Sequence, residues 1–241
     1  MKIVEKLKAK VSNNRAYEGI TLAFLGDSVT QGCFEIYKKE DGGIETVFDK
    51  QNSYQRTVYD ILAMLYPSVT VNVINAGISG DNTAGGLSRG QRDVLRHEPD
   101  LCVVCYGLND CSPGEDSIAA YTGRLEKIFE AIRASGCEVI FMTPNMMNTY
   151  VSASLTDADM RAIATRTAAM QNDGTFDAHI EAARALCRRM NVALCDCYAI
   201  WRKLGECGVD TTMLLSNRIN HPTRQMNQLF ADELVRVMLE L

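Results

Sequence analysis

The chain has 241 residues, a formal net charge of −5, 46% apolar residues and 23% charged residues. This length suits one large α/β domain, and the composition is that of a globular protein able to bury a full core. The negative net charge gives no general reason to expect nucleic acid or an anionic membrane as a partner.

The N-terminal segment, residues 1–18, alternates charged with apolar residues and contains no uninterrupted apolar run. It therefore lacks the character of a secretory signal, and we take it as an extension ahead of the main domain. No later stretch approaches the roughly 18 consecutive apolar residues that a membrane-spanning helix needs. These features predict a cytoplasmic protein.

Five short apolar runs, each stopped by Gly, Pro or Asp, are predicted as strands. Several lack the polar alternation of a sheet with one wet face, as expected when helices cover both faces of a parallel sheet. The predicted strands are 20–26, 69–77, 100–107, 138–144 and 192–196.

Helical periodicity fills the intervals between these strands. In residues 53–65, for example, Val58, Ile61, Leu62 and Leu65 share one stripe. Such alternation predicts βαβ units in one doubly wound sheet, and the chain shows no linker or repeat, so residues 1–241 are expected to form a single domain. The predicted helices are 53–65, 116–134, 177–190 and 223–240.

Two stretches interrupt the alternation. Residues 33–52 contain a polar Gly-Gly turn that suggests a small hairpin, and residues 145–176 form a long segment rich in Met, Asn and Thr. Both follow strand carboxyl ends, where open α/β sheets bind their ligands, so we expect both insertions to line the substrate pocket. Decorative surface loops are the alternative.

The nine cysteines are expected to be reduced and mostly buried in a chain without a signal. Cys102 and Cys105 form a CxxC inside a predicted strand, where residues three apart point to opposite faces. Cys195 and Cys197 share a face but have no second pair or histidine nearby in sequence to complete a zinc site. The pattern predicts no metal.

Polar residues follow four of the predicted elements. The first strand runs into Gly26-Asp27-Ser28, the second delivers Ser79-Gly80-Asp81, and the third delivers Gly107, Asn109 and Asp110. His221 stands in NRINHPT, just ahead of the last helix. In a doubly wound sheet these segments converge at one edge, although nearly two hundred residues separate the first from the last.

Together they supply the parts of an acyl-transfer site. The Ser28 hydroxyl can attack a carbonyl if His221 takes its proton, because imidazole is the natural base at neutral pH. The amides of Ser28 and Gly80 and the side-chain NH₂ of Asn109 are candidate donors for the oxyanion. Asp27, Asp81 and Asp110 are expected to brace their turns. His97, at a predicted helix end, is expected to place a favourable charge near the C-terminal dipole, and His179 to lie on the surface.

Other functions fit part of this pattern. Gly-rich strand-to-helix turns also bind phosphate, but the chain has no GxGxxG after its first strand and no GxxxxGK[ST]. An α/β-hydrolase is disfavoured because Ser28 lacks a GxSxG elbow and follows the first strand. A pseudoenzyme that binds acylated glycan without turnover is a third possibility.

The motifs GDSVTQG (26–32), GISGDNT (77–83), GLND (107–110) and His-Pro (221–222) resemble, in order and approximate spacing, those of the SGNH hydrolases, or GDSL-type esterases and lipases. The resemblance covers nearly the whole chain. It implies a flavodoxin-like three-layer α/β/α sandwich with a parallel five-stranded sheet. It also implies Ser28 as nucleophile, Gly80 and Asn109 as completing the oxyanion hole, His221 as base, and no metal or organic cofactor.

One position departs from the family pattern. The family usually has an aspartate three residues before the histidine, where this chain has Arg218, which cannot accept a hydrogen bond. We expect either the side-chain oxygen of Asn217 or a backbone carbonyl to accept the ring N–H, ahead of Asp210, the nearest upstream carboxylate.

The resulting expectation is a serine esterase acting on a small-molecule carboxylic ester. The presumed pocket segment is polar, with Asn145, Asn148, Thr149 and Tyr150, which favours a short acyl group, such as acetyl on a carbohydrate, over a lipid tail. A lysophospholipase or thioesterase of the same family and the non-catalytic glycan binder remain alternatives. The sequence does not predict the oligomeric state.

Overall fold

The computed structural model describes residues 1–111 and 118–240, and its centre is a parallel sheet. Five strands pair in the order β4-β1-β5-β6-β7: β1 (Ile20–Gly26), β4 (Val71–Gly77), β5 (Leu101–Cys105), β6 (Glu138–Met142) and β7 (Ala193–Cys195). Each predicted strand is present, shortened by at most two residues at either end. The second strand of this sheet in sequence, β4, flanks β1 on one side and the later strands follow on the other, so the strand order reverses at β1, as in flavodoxin-like folds.

Helices cover both faces of this sheet. They are α1 (Lys2–Ser12), α2 (Ser28–Gln31), α3 (Tyr54–Leu65), α4 (Thr83–Asp93), α5 (Ile118–Ala134), α6 (Ala158–Asn172), α7 (Thr175–Met190), α8 (Cys197–Glu206) and α9 (Arg224–Leu239). Four of them confirm the predicted helices, except that residues 116–117 of the predicted 116–134 lie outside the described residues. None of the helices in residues 1–111 and 118–240 is long and apolar enough to cross a membrane.

The core is divided by the sheet into two clusters, as the lack of polar alternation predicted. Within β1, Leu22 and Phe24 pack on one face with α3 and α9, whereas Ala23 and Leu25 pack on the other with α5. Successive residues of a strand point to opposite faces, and both faces of β1 are covered, so every β1 residue except the partly exposed Thr21 is buried. The three-layer α/β/α prediction is confirmed.

The cysteines follow the same division. Cys105 lies in the first cluster and Cys102 in the second, so the CxxC does point to opposite faces. All nine cysteines are free, and all except Cys207 are buried. The two sulfur atoms of Cys195 and Cys197 are 3.7 Å apart. Within the described ranges, no three His, Cys, Asp or Glu side chains form a group that could hold a metal ion.

The segment before β1 packs closely against the domain. Ile3 and Leu7 of α1 are buried in the same cluster as Leu22 and Phe24, and the carboxylate of Glu138 accepts hydrogen bonds from the first amides of the helix. Residues 1–18, which we expected to be an extension, therefore contribute a helix to one layer.

The two predicted insertions differ in structure. Residues 33–52 do form the expected hairpin, with β2 (Cys33–Lys38) antiparallel to β3 (Ile44–Phe48). Residues 145–176 consist of an irregular stretch followed by the helix α6 and the start of α7. Asn145 and Asn148 are fully buried, and each donates hydrogen bonds to backbone carbonyls. The expectation that these two side chains line a substrate pocket is wrong.

Candidate active site

Three neighbouring strands, β4, β1 and β5, end at the same level, which brings their loops together. Gly26 of β1 is the register partner of Gly77 in β4 and of Cys105 in β5. The loop after each strand therefore starts next to the other two. The site lies at the carboxyl edge of the sheet, where the strand order reverses.

Ser28 begins the short helix α2 immediately after β1. The Asp27 carboxylate caps this helix, since its Oδ1 accepts from the amide of Val29 at 2.9 Å. Gly77 allows the helix to lie against β4, because a Cβ at that position would be 2.2 Å from the backbone nitrogen of Gln31. The prediction that Asp27 braces the turn is confirmed.

Gly80 lies in the loop after β4, with a φ of +78° that favours glycine. The loop is held by a hydrogen bond from the amide of Ser79 to Gln31 Oε1, 2.7 Å, and by a turn from the amide of Asp81 to the Ile78 carbonyl, 3.1 Å. Within the described part of the chain, the Gly80 amide has no acceptor. It is thus available as a donor.

Asn109, in the loop after β5, is tied to the Gly80 loop. Its Nδ2 donates to the carbonyl of Asp81 at 2.8 Å, which uses one of the two amide hydrogens. Asp110 joins the same loops, because its Oδ1 accepts from both the amide and the hydroxyl of Thr83. The bracing role predicted for Asp110 is confirmed.

His221 is brought to Ser28 from the other end of the chain. Its Nε2 is 2.9 Å from Ser28 Oγ, and its Nδ1 is 2.9 Å from the backbone carbonyl of Phe34 in β2. Both side chains are buried, with 4% of Ser28 and 3% of His221 exposed. The structure therefore brings together the two residues that the sequence analysis assigned as nucleophile and base.

The Phe34 carbonyl determines the tautomer of His221. A carbonyl oxygen only accepts, so the proton of the neutral ring resides on Nδ1 and the lone pair on Nε2 faces the Ser28 hydroxyl. Burial lowers the pKa of His221 to about 4, partly offset by this hydrogen bond and by the nearby Glu35 carboxylate. A neutral imidazole that accepts from a serine is the arrangement that activates a hydroxyl nucleophile.

Neither side chain considered for orienting the histidine does so. Asn217 Oδ1 accepts from the amides of Ile219, Asn220 and His221, which shapes the loop but leaves the ring to Phe34. Asp210 accepts from Tyr150 instead. The expectation of Asn217 as ring acceptor is wrong, and the alternative of a backbone carbonyl is confirmed.

The other two histidines lie outside this cluster. His97 is exposed, at the end of a short 3₁₀ turn that spans residues 95–97. His179 is buried, contrary to the prediction, because its ring packs against Tyr121 and its Nδ1 bonds to the carbonyl of Thr175. His179 lies on the buried face of the amphipathic helix α7, together with Phe176 and Ile180. The prediction considered only its place in the first turn of the helix and not the face on which it lies.

The fold and the site define a class of protein: a doubly wound α/β domain with a hydrogen-bonded Ser–His pair where its strand order reverses. The sequence model of the GDSL-like lipase/acylhydrolase family matches residues 24–229. The chain belongs to that family.

Curated relatives match over shorter stretches. An acetylxylan esterase of Geobacillus stearothermophilus is 30% identical over 92 residues, 38% of this chain and 40% of that protein. An arylesterase of Vibrio mimicus is 38% identical over 80 residues, 33% of this chain and 40% of that protein. The chain thus spans about 40% of the length of the curated relatives it matches.

Solved structures match over almost the full length. The acetylxylan esterase Axe2 of Geobacillus stearothermophilus superposes with a TM-score of 0.67 at 20% identity, over 92% of this chain and 94% of that chain. The lipase/acylhydrolase of Enterococcus faecalis gives a TM-score of 0.65 at 22% identity, over 92% and 96%. These likenesses establish the SGNH hydrolase fold that the sequence motifs implied.

Proposed function

We propose that this protein is a serine esterase that hydrolyses carboxylic esters through an acyl intermediate on Ser28, with His221 as the base. The observation that carries the proposal is the 2.9 Å contact between Ser28 Oγ and His221 Nε2, with the other ring nitrogen bonded to the Phe34 carbonyl. Membership of the GDSL-like lipase/acylhydrolase family supports the same chemistry.

In the acylation half-reaction, His221 Nε2 takes the hydroxyl proton as Ser28 Oγ bonds to the ester carbon. The carbonyl π electrons move to the oxygen, and the tetrahedral intermediate then collapses as the ester C–O bond breaks. The leaving alkoxide takes the proton from Nε2 and departs as an alcohol. Nδ1–H remains bonded to Phe34 throughout, which keeps the ring in one orientation.

Three donors are proposed to stabilise the oxyanion: the amides of Ser28 and Gly80 and the second Nδ2 hydrogen of Asn109. They come from the loops after β1, β4 and β5, three strands in register at their ends. Such donors act when charge develops on the oxygen, and each typically contributes about 10²–10³ in rate.

Water completes the cycle in the second half-reaction. His221 Nε2 takes a proton from water as the hydroxide oxygen bonds to the acyl carbon. The acyl C–Oγ bond breaks, Ser28 Oγ recovers the proton from Nε2, and the carboxylic acid leaves. No step needs a metal or an organic cofactor, because the imidazole shuttles every proton.

For the substrate, we propose a small acyl group, with acetyl on a carbohydrate first. The similarity to an acetylxylan esterase supports this proposal. The polarity of Asn145 and Asn148 does not support it, because both side chains are buried in the protein interior. A simple aryl ester is the second candidate, favoured by the similarity to an arylesterase.

The test is hydrolysis of p-nitrophenyl esters from C2 to C12, and of acetylated xylo-oligosaccharide, by the wild type, Ser28→Ala and the surface control Ser88→Ala. We expect activity on C2–C4 esters, a loss of at least about 10³ in Ser28→Ala, and full activity in Ser88→Ala. A chain-length optimum at C8 or longer would overturn the small-acyl proposal. Binding of the glycan without turnover would favour the pseudoenzyme.

A further inference from the structure

The acceptor for His221 is provided by an irregularity in the hairpin. Cys33 pairs with Phe48 and Ile36 pairs with Thr46, so Phe34 and Glu35 together stand opposite the single residue between them in β3. A β-bulge of this kind bends the strand and releases local backbone groups from the ladder. The Phe34 carbonyl, turned toward His221 Nδ1, is one of the groups in this bulge.

A backbone carbonyl on a two-stranded hairpin needs external support to keep its place. An isolated hairpin is at best marginally stable in water, and among the strands of the described residues β2 and β3 pair only with each other. A carbonyl also carries no charge to attract the ring, unlike the aspartate of a triad. The geometry of the Ser–His pair therefore depends on whatever holds the bulge.

Arg224 contacts both residues of the bulge and the end of the hairpin. Its Nη1 and Nη2 donate to the two carboxylate oxygens of Glu35 at 2.7 and 3.2 Å, and its Nε donates to Asp49 Oδ2 at 2.7 Å. Its guanidinium carbon lies 4.4 Å from the centroid of the Phe34 ring. In the part of the chain that the structure describes, all the partners of the Arg224 side chain belong to residues 34–49.

The same arginine belongs to the segment that carries the base. Arg224 is the first residue of α9, three positions after His221, and the backbone between them is fixed by hydrogen bonds from Thr223 to Leu214 and from Ser216 to His221. Arg224 thus ties the segment that carries the donor, His221 Nδ1, to the hairpin that carries the acceptor, the Phe34 carbonyl. Isolated surface ion pairs contribute little, but a bidentate arginine in a network is the recognised exception.

We propose that Arg224 is a positioning residue, which clamps the Phe34–Glu35 bulge so that the Phe34 carbonyl orients His221 in place of the usual aspartate. This inference rests on the proposed esterase function of the Ser28–His221 pair. It accounts for how the chain manages with Arg218 at the position where the family usually has a carboxylate.

The kinetic test compares Arg224→Gln, Arg224→Lys and Glu35→Gln with the wild type. Loss of the clamp misplaces the ring, so Arg224→Gln is expected to lower kcat about 10- to 100-fold while KM changes by less than about threefold. Arg224→Lys should have a kcat between those of the wild type and Arg224→Gln, because lysine keeps the positive charge but cannot bind the Glu35 carboxylate in a bidentate manner. Combining Glu35→Gln with Arg224→Gln should add little further loss.

Arg184→Gln is a matched control. Arg184 also bridges two carboxylates, Glu181 and Asp196, and lies over an aromatic ring, that of Tyr198, but it contacts no residue of the site. The Arg184→Gln protein should be less stable than the wild type but should not show the lower kcat expected for Arg224→Gln. Near-ultraviolet circular dichroism confirms that each variant is folded, and if Arg224→Gln does not fold, Arg224→Lys and Glu35→Gln decide the matter.

A second readout does not depend on activity. Proton NMR of the ¹⁵N-histidine-labelled protein should show a hydrogen-bonded Nδ1–H signal, assigned to His221 by its absence in His221→Gln. The signal should be lost or broadened in Arg224→Gln and retained in Arg184→Gln. An unchanged signal, or a kcat within about twofold of wild type, would overturn the clamp. If the wild type hydrolyses no ester, the proposed function fails while the NMR comparison still tests the clamp.

Discussion

The buried Arg89 forms an ion pair with the partly buried Asp81 beside the Gly80 loop, with 2.8 Å between Arg89 Nε and Asp81 Oδ2. The same guanidinium donates to the carbonyls of Gly26 and Ala76, and the Tyr106 hydroxyl donates to Asp81. One side chain thus joins the ends of β1 and β4 to the loop that presents the Gly80 amide. Because the guanidinium satisfies backbone carbonyls as well as a carboxylate, its burial is compensated.

Arg89→Met should therefore strongly destabilise the protein. The variant leaves the Asp81 carboxylate without its charge partner and two backbone carbonyls without a donor, which typically costs about 3–5 kcal/mol of the free energy of unfolding. Arg92→Met is the control, since Arg92 is exposed on the same helix and pairs only with Asp93 in the described chain. Urea denaturation measures the free energy of unfolding of both variants and of the wild type. Equal midpoints for the two would contradict a bracing role for Arg89.

The residues of the site could be predicted because they follow strand ends. In a parallel sheet the carboxyl ends meet at one edge, so Ser28, Gly80 and Asn109 could be grouped from the order of strands alone. The role of the Phe34 carbonyl could not be predicted from the sequence, because every residue has a backbone carbonyl. It is the bulge in β2 that directs this carbonyl to His221. Arg224 was equally hidden, since its partners are more than 170 residues away.

The composition of α4 and α6 explains why these two helices were not predicted from the sequence. α4 contains Gly85, Gly86 and Gly90, each of which weakens helix propensity. Tertiary packing overrides this weakness, because a Cβ at Gly86 would clash with the Tyr106 ring. α6 carries polar and small residues on most sides, so the segment 145–176 lacked a clear apolar stripe.

Asn109→Ala should lower kcat with little change in KM. The Nδ2 hydrogen that is not bonded to Asp81 is the proposed oxyanion donor, and its loss typically costs about 10²–10³ in kcat because the bond forms only in the transition state. Steady-state kinetics on an acetyl ester measures this, with the surface variant Asn72→Ala as control. A folded Asn109→Ala protein with near-normal kcat would remove Asn109 from the oxyanion site.

The acid limb of the pH–rate profile should reflect the buried state of His221. Since burial lowers the pKa of His221 to about 4, kcat/KM should stay level down to about pH 5 and fall as protonation removes the Nε2 lone pair. The unfolded state binds the proton at higher pH, so stability also declines as pH drops from the ordinary value of 6.5 toward 4. Circular dichroism at each pH separates the two effects. A limb centred near 6.5 in folded protein would contradict a desolvated base.

Asp27→Asn should become relatively more stable as pH rises. Complete burial is the main cause that raises the pKa of Asp27 to about 7 from 3.8, with Asp110 and Asp81 adding to it. Between these values the native state holds a proton that the unfolded state has released, so wild-type stability falls as pH rises, by up to about 1.4 kcal/mol per pH unit. Asparagine keeps an acceptor for the Val29 amide and never ionises.

Urea denaturation of both proteins from pH 4 to pH 8 measures this difference. The difference should grow up to about pH 7 and then level off, because above the native pKa both states of the wild type have lost the proton. The opposite contribution of His221 is present in both proteins and cancels, which the same comparison in a His221→Gln background verifies. A difference that does not vary with pH would show that Asp27 is already ionised beside Ser28 at pH 4, and that its charge is stabilised by the amides of the turn.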